Sequence, residues 1–264
     1  MRYVMNGSGS EEYAPRFTWF AFSKAVISGI KELSMKNLTA DVVNTHVEKT
    51  ADFHTTDTLF NRINEIWQRS QLDNMHGGIA SDCPHRERLP YTGDGEAACA
   101  TVMHNFDAEA FYQKWIRDIH DAQNKETGYV PNSAPWEPTA GGGVRWGAAM
   151  NTMPWEYYVQ YGDRKILEDN FEAMKKQVNY MTTWVRADGT MYQQLPGVGQ
   201  SEPNYWLCLG DWVPPYAVPS EELVHTFFLW LCSDYTARAA AVLNQAADEQ
   251  TYPALAKRTR HCLL

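Results

Sequence analysis

The stretch Ser81-Asp82-Cys83-Pro84-His85-Arg86-Glu87-Arg88-Leu89-Pro90-Tyr91-Thr92-Gly93-Asp94-Gly95 concentrates three carboxylates, two arginines, a histidine and a tyrosine in fifteen residues. Pro84, Pro90 and Gly93 interrupt any continuous helix, so the charges are expected on a constrained loop. Flanking that loop the pattern is helical. Thr55, Thr56 or Asp57 can cap a helix carrying Leu59, Phe60, Ile63, Ile66 and Trp67. Further helices are expected near 94–104, 107–123, 147–161, 164–186, 220–246 and 250–262. The clearest is 164–186, where Leu167, Phe171, Met174, Val178, Met181 and Val185 step by four and three and so form one apolar stripe.

Two long loops separate these helices, 124–145 with Gly141-Gly142-Gly143, and 187–219 around Asp211-Trp212. Loops of that length are often functional. No repeat of fixed period is present, and the alternation of helices with short turns and long loops suits paired helices around a ring. Residues 1–50 differ. Phe17-Thr18-Trp19-Phe20-Ala21-Phe22, Ala25-Val26-Ile27-Ser28-Gly29-Ile30 and Leu38-Thr39-Ala40-Asp41-Val42-Val43 are β-rich runs, expected to be the C-terminal strands of a β-sandwich.

With 264 residues the chain can bury a full core, and 23 basic against 32 acidic residues give a net charge of −9. That balance argues against nucleic acid or an anionic membrane as a partner. No apolar run approaches the roughly 20 residues of a membrane span, and the start lacks the apolar core of a signal peptide. Cys83, Cys99, Cys208, Cys232 and Cys262 are odd in number and form no C-x-x-C pair, so neither a disulfide framework nor a metal site is indicated. No cofactor is expected. Aromatic residues make up 13% of the chain, with ten tryptophans. Most fill a core, but Trp136, Trp146, Trp206 and Trp212 stand in polar, Pro/Gly-rich surroundings where an indole can offer its face to a sugar ring.

The loop chemistry suits glycosidic bond cleavage, in which one carboxyl group protonates the leaving oxygen while a second works on the opposite face of the sugar. Glu87 lies between Arg86 and Arg88 and near Asp82 and Asp94. The arginines favour its ionised form and the acidic neighbours oppose it, so its pKa is open at this level. Asp82 and Asp94 can accept hydrogen bonds from sugar hydroxyls, and Arg86 could hold a carboxylate bidentately.

Asp82-Cys83-Pro84-x-Arg86-x-Arg88-Leu89, with Glu87 inside it and Tyr91-Thr92-Gly93-Asp94 following, resembles the signature of the inverting bacterial α-L-rhamnosidases. Phe17-Thr18-Trp19-Phe20-Ala21-Phe22, Asn74-Met75-His76-Gly77-Gly78, Trp146-Gly147-Ala148-Ala149 and Gly210-Asp211-Trp212 extend the resemblance over essentially the whole chain. It implies a mainly α fold: part of an (α/α)6 toroid over 51–264, preceded by a short β-sandwich remnant over 1–50. It implies that Glu87 is the general acid, that Asp82 and Asp94 bind rhamnose hydroxyls, and that Tyr91 lines the sugar site. Arg86, Trp146, Asp211 and Trp212 are the further expected substrate contacts, and α-L-rhamnosyl saccharides or glycosides the expected ligands.

Two departures accompany the resemblance. Ala148 stands where many relatives carry Asp or Ser. The family's general base is a Glu well over two hundred residues past the acid, so this sequence is expected to be an internal or truncated piece. Glu137 and Glu156 are candidate stand-ins for the base, but nothing in their setting singles them out. His76 and His85 are expected to be ordinary loop histidines, and Cys83 a buried thiol rather than a nucleophile. Besides an acid-bearing half-enzyme, the residues allow a half-ring that binds sugar without cutting it, or a non-functional gene fragment. Other toroidal families such as glucoamylase-like or unsaturated uronyl hydrolases fit the Asp82-to-Asp94 pattern less well.

Overall fold

A computed structural model describes residues 2–135, 144–192 and 215–264. The described chain is mainly helical: α1 (Thr58–Asn74), α2 (Thr92–Asn105), α3 (Glu109–Ala122), α4 (Val144–Gly147), α5 (Ala149–Tyr161), α6 (Arg164–Thr182), α7 (Glu221–Leu243) and α8 (Asp248–His261). Strands β1 (Met75–His76) and β2 (Ile79–Ala80) form a two-stranded antiparallel hairpin. Its turn residues Gly77 and Gly78 both have positive φ, the conformation a two-residue hairpin loop requires. No helix among the described residues is long and apolar enough to cross a membrane. Trp136, Glu137, Gly141-Gly142-Gly143, Trp206, Cys208, Asp211 and Trp212 lie outside the described residues.

Helix starts follow the caps. Asp57, one of the three caps the sequence offers, accepts from the Leu59 amide at 2.8 Å, and Ser220 does the same for Leu223 at 3.1 Å. The apolar stripe of α6 is buried from Leu167 to Met181 as its spacing dictates. The helix stops at Thr182 rather than 186, because Thr182 and Thr183 turn their hydroxyls back onto the Asn179 and Tyr180 carbonyls. Val185 then pairs with Met191 across a turn at Gly189, whose φ is +90°.

Helix α5 sits at the centre, packed against α2, α3, α6 and α7. Its buried Asn151 amide donates to the Met174 carbonyl on α6 at 3.0 Å and to the Thr236 hydroxyl on α7 at 2.9 Å. One polar side chain thereby fixes two interfaces. One apolar cluster gathers Tyr112, Trp115, Met150, Tyr157 and Leu167; a second gathers Val144, Met181, Trp184, Leu229 and Tyr252. Arg145 of α4 pairs with Glu96 of α2 at 2.7 Å, with side chains only 18% and 13% exposed. The same guanidinium lies 4.6 Å from the Phe228 ring centroid on α7.

The strands expected over residues 1–50 do not form in the described part. Residues 2–48 hold only a short 3-10 turn at Met35–Asn37, and Phe17, Val26 and Val42 are exposed. A strand is stable only when its backbone groups are paired, and here the first backbone bond from this segment to a later element is Thr45 N–H to the Met75 carbonyl at 2.6 Å, followed by the Lys49–Phe106 bridge. The apolar face of α1 is likewise largely uncovered, with Leu59, Phe60, Ile63 and Ile66 all about half exposed or more, while Trp67 and Leu72 pack inward. Helix α2 begins at Thr92, two residues before its expected start, so Asp94 lies inside its first turn.

Gly95 has no room for a side chain: an added Cβ would lie 2.2 Å from the Trp115 ring. Gly95→Ala is expected to cost about 1–3 kcal/mol through overpacking, read as a clear drop in melting temperature. An unchanged melting temperature would mean that Trp115 does not hold α2. Glu96→Gln leaves the Arg145 charge without its partner and is expected to cost on the order of 3 kcal/mol. By contrast, Glu168→Gln, which breaks an exposed pair with Arg164, is expected to cost less than about 1 kcal/mol. Equal effects in denaturant titrations would overturn the structural role of the Glu96–Arg145 pair.

Candidate active site

The β1–β2 hairpin closes with the Ser81 amide on the Asn74 carbonyl at 2.9 Å and delivers the chain at Asp82. Residues 84–87 form a turn that ends at Arg88, whose φ of 55° is unusual for a residue with a side chain. Long contacts hold Arg88 there: its Nη1 donates to Thr18 Oγ1 and to the Trp19 carbonyl, each at 3.2 Å, and its guanidinium lies 5.5 Å from the Trp19 ring centroid. Trp19 in turn stacks on His76 at 4.2 Å. After Pro90, Tyr91 bridges to Ser133 and the Thr92 amide donates to the Asn132 carbonyl. Thr92 Oγ1 donates to the Trp146 carbonyl at 2.9 Å, fixing the start of α2 against α4.

This path folds the motif back on itself around Cys83. The thiol sulfur lies 2.9 Å from Asp82 Oδ2 and 2.7 Å from Glu87 Oε2. Asp82 Oδ1 is buried and has no hydrogen-bond partner among the described residues. Glu87 is exposed and its carboxyl is held below the ordinary range, first by the thiol, then by its own backbone amide, with the Arg86 and His85 charges adding to this. Arg86 Nε is 3.6 Å from Glu87 Oε2, an ion-pair distance rather than the bidentate grip the sequence allowed. The buried Cys83 thiol is pushed up by burial and then by Asp82 and Glu87.

Tyr91 ties the constellation together. Its phenol is raised by burial first and then by the charges of Asp82, Glu87 and Asp94, so all three motif carboxylates bear on it electrostatically. Asp94 is raised by burial and by Asp82, with Arg145 opposing. The residue itself is exposed. The chain thus brings together Asp82, Arg86, Glu87, Tyr91 and Asp94. Trp146 is placed differently from the open platform expected of it: the indole is 8% exposed, and its ring fills the space where a Gly93 side chain would be. Asp211 and Trp212 lie outside the described residues.

Other residues sort themselves by contact. Glu156 accepts from the Tyr235 hydroxyl at 2.9 Å and belongs to the α5–α7 interface. His76 is buried, with Nε2 2.9 Å from the Asp73 carbonyl, and His85 is exposed. Sequence reasoning passed over the Trp19–Arg88 contact and the Glu96–Arg145 pair, since nothing local in the sequence joins residues 69 or 49 positions apart. Asp82, Cys83 and Glu87 are the one group among the described residues close enough to hold a metal ion, their donor atoms lying within 4.8 Å of one another. A metal would need Cys83 as thiolate, whereas burial and two carboxylates favour its protonated form. Hydrogen bonding is therefore the use this cluster fits.

Residues 48–263 match the bacterial alpha-L-rhamnosidase 6 hairpin glycosidase domain. A curated alpha-L-rhamnosidase of Formosa agariphila is 30% identical over 225 residues, 81% of this chain and 22% of that protein. One of Streptomyces avermitilis is 30% identical over 94% of this chain and 23% of its own length. Among solved structures, the alpha-L-rhamnosidase of Dictyoglumus thermophilum superposes with a TM-score of 0.72 at 30% identity, covering 85% of this chain and 24% of that one. The Streptomyces avermitilis enzyme complexed with L-rhamnose gives 0.70 at 26% identity, covering 83% and 20%. The chain spans about a quarter of the length of the curated relatives it matches. The motif constellation around Tyr91 and the match over 48–263 together establish that this chain belongs to the bacterial alpha-L-rhamnosidase six-hairpin glycosidase family.

Proposed function

We propose that the chain forms the acid-bearing part of an inverting α-L-rhamnosidase site, within the first half of an (α/α)6 toroid spanning 51–264. The observation that carries this reading is that the folded turn brings Asp82 and Glu87 together on either side of Cys83, with Asp94 in the first turn of the helix that follows. Glu87 is the general acid. It is the exposed carboxyl of the three that has a thiol and a guanidinium beside it, and it can reach a leaving-group oxygen from solvent. Asp82 and Asp94 accept from rhamnose hydroxyls, and the unpartnered Asp82 Oδ1 is a buried acceptor that a hydroxyl would satisfy. Tyr91 walls the site, Arg86 balances the charge of Glu87, and Trp146 supports Asp94 from beneath α2. Asp211 and Trp212 are proposed sugar contacts on the resemblance alone. The runs before about residue 50, unpaired here, are proposed as C-terminal strands of a β-sandwich domain, and Trp19 among them meets Arg88.

Inversion needs a second carboxylate on the far side of the sugar, about 6.5–9.5 Å from the acid, to activate water. This reading assigns that base to no residue of the chain, so binding and cleavage separate. The isolated chain is expected to bind L-rhamnose by calorimetry. Asp82→Asn is expected to weaken that binding roughly tenfold or more, the weight of a hydrogen bond to a charged group. Glu87→Gln is expected to leave it nearly unchanged. Unaltered affinity in Asp82→Asn would remove the hydroxyl-binding role. With p-nitrophenyl α-L-rhamnopyranoside, no hydrolysis is expected from the chain. Turnover that disappears in Glu87→Gln would keep the acid and place a base inside these residues, and turnover that survives Glu87→Gln would overturn the acid assignment.

A further inference from the structure

Two consecutive residues of α4 hold the start of α2. The Trp146 carbonyl accepts from the Thr92 hydroxyl at 2.9 Å, and the Trp146 ring lies against Gly93, where an added Cβ would come within 2.8 Å of it. Arg145 Nη1 donates to Glu96 Oε2 at 2.7 Å. Helix α4 thus grips α2 at residues 92, 93 and 96, on both sides of Asp94 in the sequence. Residues three apart lie on one face of a helix. The guanidinium, bonded to Glu96 and 5.6 Å from the Trp146 ring centroid, therefore rests on the face that Gly93 and Glu96 share. Asp94 is one position round the helix from Gly93, beside that face.

Other cations are engaged elsewhere. Along its own side of α2, Asp94 is followed by Ala97 and Ala98, which carry no charge. Arg86 pairs with Glu87, and Arg88 is turned to Thr18 and Trp19. The groups that bear on Asp94 are Asp82 from the motif loop, Tyr91 at the cap of α2 and Arg145 from α4. Asp82 opposes the ionised form and Arg145 favours it. Glu96 competes for the same guanidinium and is itself faced by Glu156 of α5. The guanidinium is held fast, 4.6 Å from the Phe228 ring centroid on α7 and on a side chain only 18% exposed. A charge already in place needs no further ordering when a ligand arrives.

Resting on the reading of Asp94 as an acceptor for a sugar hydroxyl, we propose that Arg145 is a positioning residue for that carboxylate: Glu96 and Phe228 anchor its guanidinium at the first turn of α2, and its charge keeps Asp94 an ionised acceptor. An ionised carboxyl accepts through both oxygens, whereas a protonated one turns one of them into a donor. Hydrogen bonds to a charged acceptor are the stronger kind, so the ionised form holds the sugar more tightly. Asp94 titrates above the ordinary aspartate range, so its ionised form is present above its midpoint and lost as pH falls through it. Sugar affinity is expected to follow the same limb.

The test reads the Asp94 carboxyl by carbon-13 NMR in this chain, its signal assigned by absence in Asp94→Asn, alongside calorimetry of L-rhamnose across pH. Arg145→Gln is expected to raise the Asp94 midpoint by about 0.5–1 pH unit. Within the limb it should weaken L-rhamnose binding about three- to tenfold, and well above the limb it should match the unmodified chain. Arg145→Lys, which keeps the charge and gives up the planar fork, is expected to return most of the shift. Glu96→Gln removes the competing anion and leaves the cation, so the midpoint is expected to fall. Both Gln variants break the same pair, so a role confined to holding the fold would move Asp94 in the same direction in both and weaken binding equally at every pH. Either result overturns the proposal, as does an unmoved midpoint in Arg145→Gln. Should Arg145→Gln fail to fold, the double variant Glu96→Gln/Arg145→Gln, in which neither charge is left alone, is compared with Glu96→Gln. Its Asp94 midpoint is expected to be the higher of the two, and equal midpoints would overturn the proposal. Failure of the unmodified chain to bind L-rhamnose removes the sugar reading of Asp94 and leaves the titration to decide on Arg145.

Discussion

Two glycines set the position of everything chemical in this chain. Gly93 and Gly95 let the first turns of α2 approach the indoles of Trp146 and Trp115 more closely than any side chain would allow, an added Cβ lying within 2.8 Å and 2.2 Å of those rings. Trp115 is itself fixed by its Nε1 donation to the Ala134 carbonyl at 2.7 Å, and Trp146 by the Thr92 hydroxyl on its carbonyl. The helix start is thus pinned on two sides, and with it Tyr91 at the cap and Asp94 in the first turn. Catalytic geometry tolerates little slack, and close packing of backbone on rigid rings is an effective way to remove it.

Electrostatically the site is costly to the fold. Burial and neighbouring charge raise Asp94, and Glu96 is raised by burial even with Arg145 against it. Groups held away from their ordinary protonation are a burden that a fold carries where they have work to do. The burden is offset by the surrounding core, where Tyr112, Trp115, Tyr157 and Trp184 are fully buried. It is offset also by Asn151, which locks α5 to α6 and α7 through backbone and hydroxyl partners rather than through charge.

Packing is uneven along the chain. The helices from α2 onward bury one another, whereas α1 and the residues before it leave much apolar surface open. The motif joins the two regions, because Arg88 reaches back to Thr18 and Trp19 while Tyr91 bridges to Ser133. A change at Arg88 would therefore act on the site through the turn that aims Glu87.

Local signals were strong enough to be read from sequence wherever they act within a few residues. Spacing along α6, a cap among Thr55, Thr56 and Asp57, and the charged motif needed no tertiary knowledge, since a 3.6-residue period and a capping oxygen are properties of a short segment. The same holds for the family, whose signature is contiguous. Tertiary structure decided the rest. It started α2 at Thr92 rather than 94, because Thr92 found the Trp146 carbonyl. It turned Trp146 from an expected platform into packing, because Gly93 left it room. It left the runs before residue 50 unpaired, because a strand is defined by its partner. And it put the Cys83 thiol between two acids, because only the folded turn brings Glu87 back to Asp82.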